Sequence, residues 1–267
     1  MDIGNTIGTW QQMSQGDKTL GLLHELHSDV IEMSRKLFFD KTHPQHLHVI
    51  ALYGSILELS SSIILLTKDG PKTALPIILR SLLEAYVDML NLCADPRYGY
   101  VLEVSAEKSW LKLLRAAADG QNPYLEKVSA TSNLQENIKL HEQRLAAMQE
   151  KGGKVLKIED KFKLVGLAHE YATIYAELCS HSHNTLQALR GRHIEEENEN
   201  NFEVVFYRFT SLDEVEHYLG IACTLLLKAT ERVHAFLNNP CVEKLSEMGK
   251  RMDAFIKGHE AAVDNSV

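Results

Sequence analysis

Arg80, Glu84, Asp88 and Asn91 interrupt a run, residues 75–93, in which nearly every other residue is apolar. At roughly 100° per residue the four project into a sector about 80° wide. The segment reads as a helix suited to burial on all sides except along one polar stripe. Buried charges must be paired or used, because desolvating an unpaired one is costly. Arg80 and Glu84 stand at i, i+4, the spacing of a helix ion pair. Asp88 sets a second acid against a single base, so the stripe is either a binding site or part of a wider structural network. As a site, it offers a guanidinium for an anionic group, with Glu84 orienting it and Asp88 and Asn91 beside it.

A second constellation lies in residues 175–193. Tyr175, Cys179 and His183 are spaced i, i+4, i+8 and share a helix face. Ser182 lies near that face, while His181 points elsewhere. Thr185 follows, and then Arg190, Arg192 and His193 around Gly191. A helix ending in hydroxyls and an imidazole, followed by two arginines, has the donors to hold a phosphate or another oxyanion. The structural alternative is a satisfied histidine at a helix end with ordinary surface arginines.

Together these motifs resemble a large family of uncharacterised bacterial helical proteins. That family carries Arg-x-x-x-Glu on one helix and Tyr-x-x-x-Ser-x-x-x-His-x-Ser on a later one. Arg80, Glu84, Tyr175, His183 and Thr185 match those positions, and Cys179 stands where serine is usual. The resemblance spans about residues 51–185 and implies a helical fold with a shared pocket. A looser likeness is to the HEPN group of helical domains, which includes toxin and defence ribonucleases. Active members use Arg-x4–6-His, and no histidine here has that spacing. The fold likeness therefore points to a variant site rather than a standard nuclease.

Other chemistries fit less well. Glu214/His217 and Glu231/His234 both read Glu-x-x-His, the pattern of di-iron carboxylate proteins. Both fall on one predicted helix, roughly 25 Å apart at 1.5 Å per residue, so they cannot share a centre. His24 and His27, and His43, His46 and His48, offer only loose metal spacing. The sequence shows no phosphate-binding Gly-rich loop, no G-x-S-x-G and no dinucleotide fingerprint. No metal and no cofactor is expected.

The elements that position these residues are helices. The chain has 267 residues, 45% hydrophobic and 24% charged, with a net charge of −8. That suffices for a sizeable core. The acidic balance disfavours extended duplex binding but leaves room for a local basic pocket. Periodicity and capping signals predict helices over 18–39, 45–68, 73–93, 96–119, 123–149, 160–183, 212–237 and 240–257. Asp69-Gly70, Gly120 and Gly152-Gly153 are stop signals, and Ser211 with Glu214 forms a capping box. The last helix carries Leu245, Met248, Met252 and Phe255 at packing spacing. Residues 193–210 change pattern, with an acidic stretch before a β-prone run, and suggest a short hairpin.

The organisation expected is one all-α domain of seven or eight helices over residues 18–258, with a flexible 1–17 and a frayed 259–267. Residues 50–67 are mostly apolar, yet Glu58 and three serines make a core helix the better reading than a membrane span. Cys93, Cys179, Cys223 and Cys241 read as reduced thiols of a cytoplasmic protein, and no signal-peptide pattern opens the chain.

Two functional expectations follow. In one, the stripe and the Tyr175/His183 face form a polar pocket for a phosphate-bearing ligand, a nucleotide or RNA. Arg80 and Glu84 would then act with His183 as the acid–base group, in its sharpest form a phosphodiesterase in a toxin or phage-defence setting. In the other, the protein is a non-catalytic interaction or scaffold module, a homo-oligomer by preference, and the stripe is structural.

Overall fold

A computed structural model describes residues 14–69, 72–198, 201–239 and 241–264. The architecture is all-α, and one two-stranded hairpin is the only sheet among the described residues. In chain order the helices are α1 (Gln15–Ser34), α2 (Pro44–Asp69), α3 (Leu75–Ala94), α4 (Tyr98–Ala118), the single turn α5 (Glu126–Ser129), α6 (Leu134–Glu150) and α7 (Ile158–Leu164). Next comes a composite helix, α8, which is α-helical over Ala168–Glu170, a π turn over Tyr171–Tyr175, and α-helical again over Ala176–Ser182. Then follow α9 (Leu186–His193), the antiparallel strands β1 (Ile194–Asn198) and β2 (Asn201–Val204), α10 (Glu216–Phe236) and α11 (Val242–Asp264). The chain divides into two compact units, Leu90–Gly166 and the remainder.

In the unit built from the chain ends, α10 is the central helix, packed against α1 and α2. It buries Leu219, Ala222, Cys223, Leu226, Ala229 and Val233, so little of its surface faces water. α1 presents Leu23, Leu26, Val30 and Met33 to the same core. Fully burying a side chain of this size contributes about 1.5–3 kcal/mol. The start of α1 is fixed twice. The Ser14 hydroxyl accepts from the Asp17 N–H at 3.2 Å, and the Asp213 carboxylate accepts from the Gly16 N–H at 2.7 Å. α1 ends at Ser34 rather than at the expected residue 39 because the chain is diverted. The Phe38 N–H donates to the Asn239 side chain, which donates back to the Phe38 carbonyl.

α2 is long and apolar enough, by composition, to cross a membrane, with a mean hydropathy of 1.9 over an 18-residue window within Pro44–Lys68. In this fold it buries one stripe, Val49, Tyr53, Ile56, Ile63 and Ile64, against α1 and α10. Ser60 and Thr67 also face inward, and each gives its hydroxyl to a carbonyl one turn back. The Tyr53 hydroxyl donates to Thr230 of α10 at 3.0 Å.

The unit Leu90–Gly166 is built on α4 packed against α6. Leu114, Ala117 and Leu134 form its small core, with Leu125, Val128 and Ile138 against them. Glu107 meets His141 at 2.5 Å, and Arg115 pairs with Glu142 at 2.7 Å.

Two long predicted helices are broken. The segment expected over 123–149 has a 3-10 turn, the single turn α5 and a gap before α6. Asn122 caps the first turn as expected, but the Ser129 hydroxyl bonds the carbonyls of Leu125 and Ala117. Side-chain bonds of this kind compete with helix continuation. The segment expected over 160–183 stops after Leu164, because Gly166 takes φ +77°, a left-handed helix terminator. The last helix continues to Asp264, past the expected end at residue 257 and into the segment expected to be frayed. The expected stop at Gly70, the expected helix start at Pro240, residues 1–13, the loop tip at 199–200 and residues 265–267 lie outside the described residues.

Candidate functional site

Three of the polar residues meet directly. Tyr175 donates its hydroxyl hydrogen to Glu84 Oε1 at 2.7 Å. Arg80 donates to the Tyr175 hydroxyl oxygen from Nε at 3.3 Å and Nη2 at 3.2 Å, and its Nε lies 3.0 Å from Glu84 Oε1. The guanidinium also sits over the Tyr175 ring, 5.4 Å from its centroid, and Tyr171 stacks on the same ring with centroids 5.4 Å apart. Burial and the bond to Glu84 hold the Tyr175 phenol far above its ordinary value, so it remains a donor. Burial opposes the charge on Arg80, but the bonds to Tyr175 and the field of Glu84 outweigh it and raise its pKa. Tyr175 is buried, whereas the Arg80 and Glu84 side chains keep 25% and 37% of their exposure. The π turn ends at Tyr175, and such turns reset the facing of a helix.

The remaining expected site residues are dispersed. Asp88 is half-buried on α3, one turn beyond Glu84. Asn91 is buried and gives its amide to the Lys161 carbonyl at 3.0 Å, within the unit Leu90–Gly166. His183 is exposed and lies about 12 Å along the helix from Tyr175, at 1.5 Å per residue. The structure records no contact between His183 and Arg80, Glu84 or Tyr175. Arg190 is exposed on α9.

Residues 183–185 build a helix end. His183 is the C-cap of α8, and Asn184 takes φ +49°. The Thr185 N–H returns to the Ser180 carbonyl at 3.2 Å, completing a Schellman turn. The Thr185 hydroxyl then caps α9, accepting from the Ala188 N–H at 3.4 Å and meeting the Ser180 hydroxyl at 2.5 Å. The corner this makes carries Arg192 back toward His181.

There a second polar cluster forms. Arg192 Nη2 donates to the His181 carbonyl at 2.7 Å and to His181 Nδ1 at 3.3 Å, and Nη1 donates to Asn184 Oδ1 at 3.1 Å. Tyr218 gives its one hydroxyl hydrogen to Glu177 at 2.9 Å. The 3.3 Å contact between Tyr218 and His181 Nε2 is therefore donated by the imidazole. His181 is then the neutral Nε2–H tautomer, with Nδ1 free to accept from Arg192. Its pKa is lowered by burial and by the Arg192 charge, in agreement with that protonation state. Burial and Glu177 push the Tyr218 phenol well up.

His181, Arg192 and Tyr218 border a cavity of about 190 Å³, closed by Lys72, Arg208 and Glu214. Arg208 donates to the Gly191 carbonyl at 2.7 Å and to Glu214 at 3.2 Å, and Glu214 is already held by the Ser211 N–H at 2.7 Å. That last bond is half of the expected capping box, and in the return bond the Glu214 N–H donates to Ser211 Oγ at 3.3 Å. Arg192 has neutral acceptors alone: no carboxylate among the described residues pairs with it, and its Nε is buried without a partner. The cavity thus presents three cationic side chains against one carboxylate.

Lys72, Arg208 and Tyr218 carry no motif, which is why the sequence reading passed over them. Arg208 sits in the β-prone run, and Tyr218 looks like one more apolar position at the head of α10. Among the described residues no three His, Cys, Asp or Glu side chains gather as a metal site, and none of the four cysteines is in a disulfide.

No curated protein and no solved structure matches the chain significantly. One family profile does, over residues 46–202, a span that takes in the Arg80–Glu84–Tyr175 cluster and reaches Arg192 but stops short of Arg208 and Tyr218. The chain belongs to DUF5677, a family of unknown function.

Proposed function

We propose that the protein binds a phosphate-bearing ligand in the cavity bordered by Lys72, His181, Arg192 and Arg208. The observation that carries this reading is Arg192. A guanidinium set into a cavity wall, held by neutral acceptors and lacking a carboxylate, is short of a counter-anion. Its planar fork suits the oxygens of a phosphate, and Lys72 and Arg208 add charge to the same lining. Neutral His181 keeps Arg192 in place without repelling it. No bond-breaking step is included, because His183, the acid–base candidate, is not part of the cavity wall.

A structural role for the stripe is favoured by its own geometry. Arg80, Glu84 and Tyr175 satisfy one another, so the cluster ties α3 to α8 and needs no ligand.

Calorimetric titration with inorganic phosphate and with AMP tests the proposal and separates a free anion from a nucleotide. Lys72→Ala and Arg208→Ala should each weaken binding about tenfold, the loss expected for one charge-assisted hydrogen bond. Arg80→Ala should leave the affinity as it is. Absence of heat with both probes on the unaltered protein would overturn the reading, as would affinities in the Lys72 and Arg208 variants unchanged from the parent.

A further inference from the structure

Beside the cavity runs a wider groove of about 680 Å³ that shares Lys72, Arg192 and Arg208 with it. Lys68 and His193 extend the basic lining, and no carboxylate among the described residues lines the groove. In a chain of net charge −8, that is a local reversal of sign. Three aromatic rings, Phe206, Tyr207 and Phe209, line the same groove and are 86%, 90% and 88% exposed. They stand on a short loop between β2 and α10, and Lys72 Nζ lies 5.4 Å from the Phe209 ring centroid. Exposing three adjacent rings to water sacrifices apolar burial, and nothing in the fold recovers it.

Resting on the phosphate-binding reading above, we propose that the ligand is a single-stranded nucleic acid. One phosphate enters the cavity, the backbone follows the lysines and arginines of the groove, and bases stack on Phe206, Tyr207 and Phe209. The pairing of a cationic track with free ring faces is the physical requirement for holding unpaired bases, because every base offers a π face whatever its sequence. A duplex hides its bases and leaves the rings idle. An acidic peptide satisfies the cations but gives three exposed rings little to stack on. An anionic bilayer can take up protruding rings, but a flat surface cannot reach Arg192, which is recessed in the cavity wall.

The test uses the full chain and a 5′-fluorescein-labelled single-stranded RNA of eight uridines, followed by anisotropy, with AMP titrated separately by calorimetry. The expected result is RNA binding tighter than AMP binding. The double variant Phe206→Ala, Phe209→Ala should lose at least about tenfold in RNA affinity, given the stacking contribution per base. Its AMP affinity should stay within about twofold of the unaltered protein. Both rings are exposed, so the variant keeps its core. Unchanged RNA affinity in the double variant overturns this inference while leaving phosphate binding intact, and so does RNA binding no tighter than AMP. Ring-dependent sedimentation with phosphatidylserine vesicles that the RNA does not compete away would also overturn it, in favour of a membrane surface. Loss of both AMP and RNA binding in Arg208→Ala, with only RNA affected in the ring variant, is the pattern that supports both readings.

Discussion

The Tyr175 hydroxyl gives its single hydrogen to Glu84 and offers its lone pairs to Arg80, so one oxygen serves an acid and a base at once. Replacing it by phenylalanine keeps the ring and removes only that oxygen. Glu84 loses a donor and Arg80 an acceptor, while their direct 3.0 Å contact remains. Both partners are partly solvated, so water recovers some of the loss. Tyr175→Phe should therefore destabilise the protein by about 1–2 kcal/mol in urea unfolding, within the range for lost hydrogen bonds. AMP affinity should not change, because the cavity shares none of these side chains. A full loss of AMP binding would show that the two clusters are coupled. The i, i+4 spacing of Arg80 and Glu84 was visible in the sequence, and so was the amphipathic face of Tyr175. The partner of Arg192 was not, since His181 comes to it through the reversal at Asn184, and a positive φ at an asparagine has no periodicity to betray it.

At the scale of elements, close approach of backbones decides where a side chain is forbidden. A Cβ on Gly16 would lie 2.3 Å from the carbonyl carbon of Leu212, where the start of α1 meets the loop before α10. The Gly16 N–H is also bound to Asp213 there, so the helix cannot simply back away. Gly21 lies one turn further along α1 and has nothing within 4 Å of an added Cβ. Gly16→Ala should cost about 1–3 kcal/mol through forced displacement, whereas Gly21→Ala should gain roughly 0.5–1 kcal/mol from helix propensity. Urea midpoints of the two variants, measured side by side, check this; a shift of the same sign in both would contradict the packing account. The long amphipathic helices were legible because their buried faces repeat every three to four residues. The breaks before α6 and after α7 were not, because each depends on one local event: a serine bonding backward at residue 129, and a left-handed glycine at 166.

For the molecule as a whole, the buried imidazoles set the response to acid. His27, His181 and His234 all belong to the unit built from the chain ends, and burial lowers the pKa of each from the ordinary 6.5. A lowered histidine pKa means that the unfolded chain takes up protons more readily than the folded one. Stability from these groups is complete above pH 6.5 and is lost progressively as the pH falls through their folded values. Asp29 acts in a lower window. Burial alone would raise its pKa, but Arg251 and Lys244 hold it below 3.8, so its contribution disappears only in stronger acid. The first loss on acidification therefore belongs to the histidines. His234 is the most informative, since it is 2% exposed and both of its ring nitrogens are buried without a hydrogen-bond partner among the described residues. Burial opposes a charge on this ring and only the Asn239 backbone favours it, so protonation works against the packing around α10. His234→Leu removes the titrating group and the unsatisfied nitrogens together while keeping an apolar side chain. The variant should be more stable than the parent at pH 7.5 by about 1–2 kcal/mol, the cost of an unpaired buried polar group. The difference should widen at pH 5.5, where the parent alone is driven to protonate this site. Thermal unfolding of the two proteins at both pH values measures it. A difference that stays constant between them would mean that folding does not lower the His234 pKa, and the early acid loss would then fall to His27 and His181.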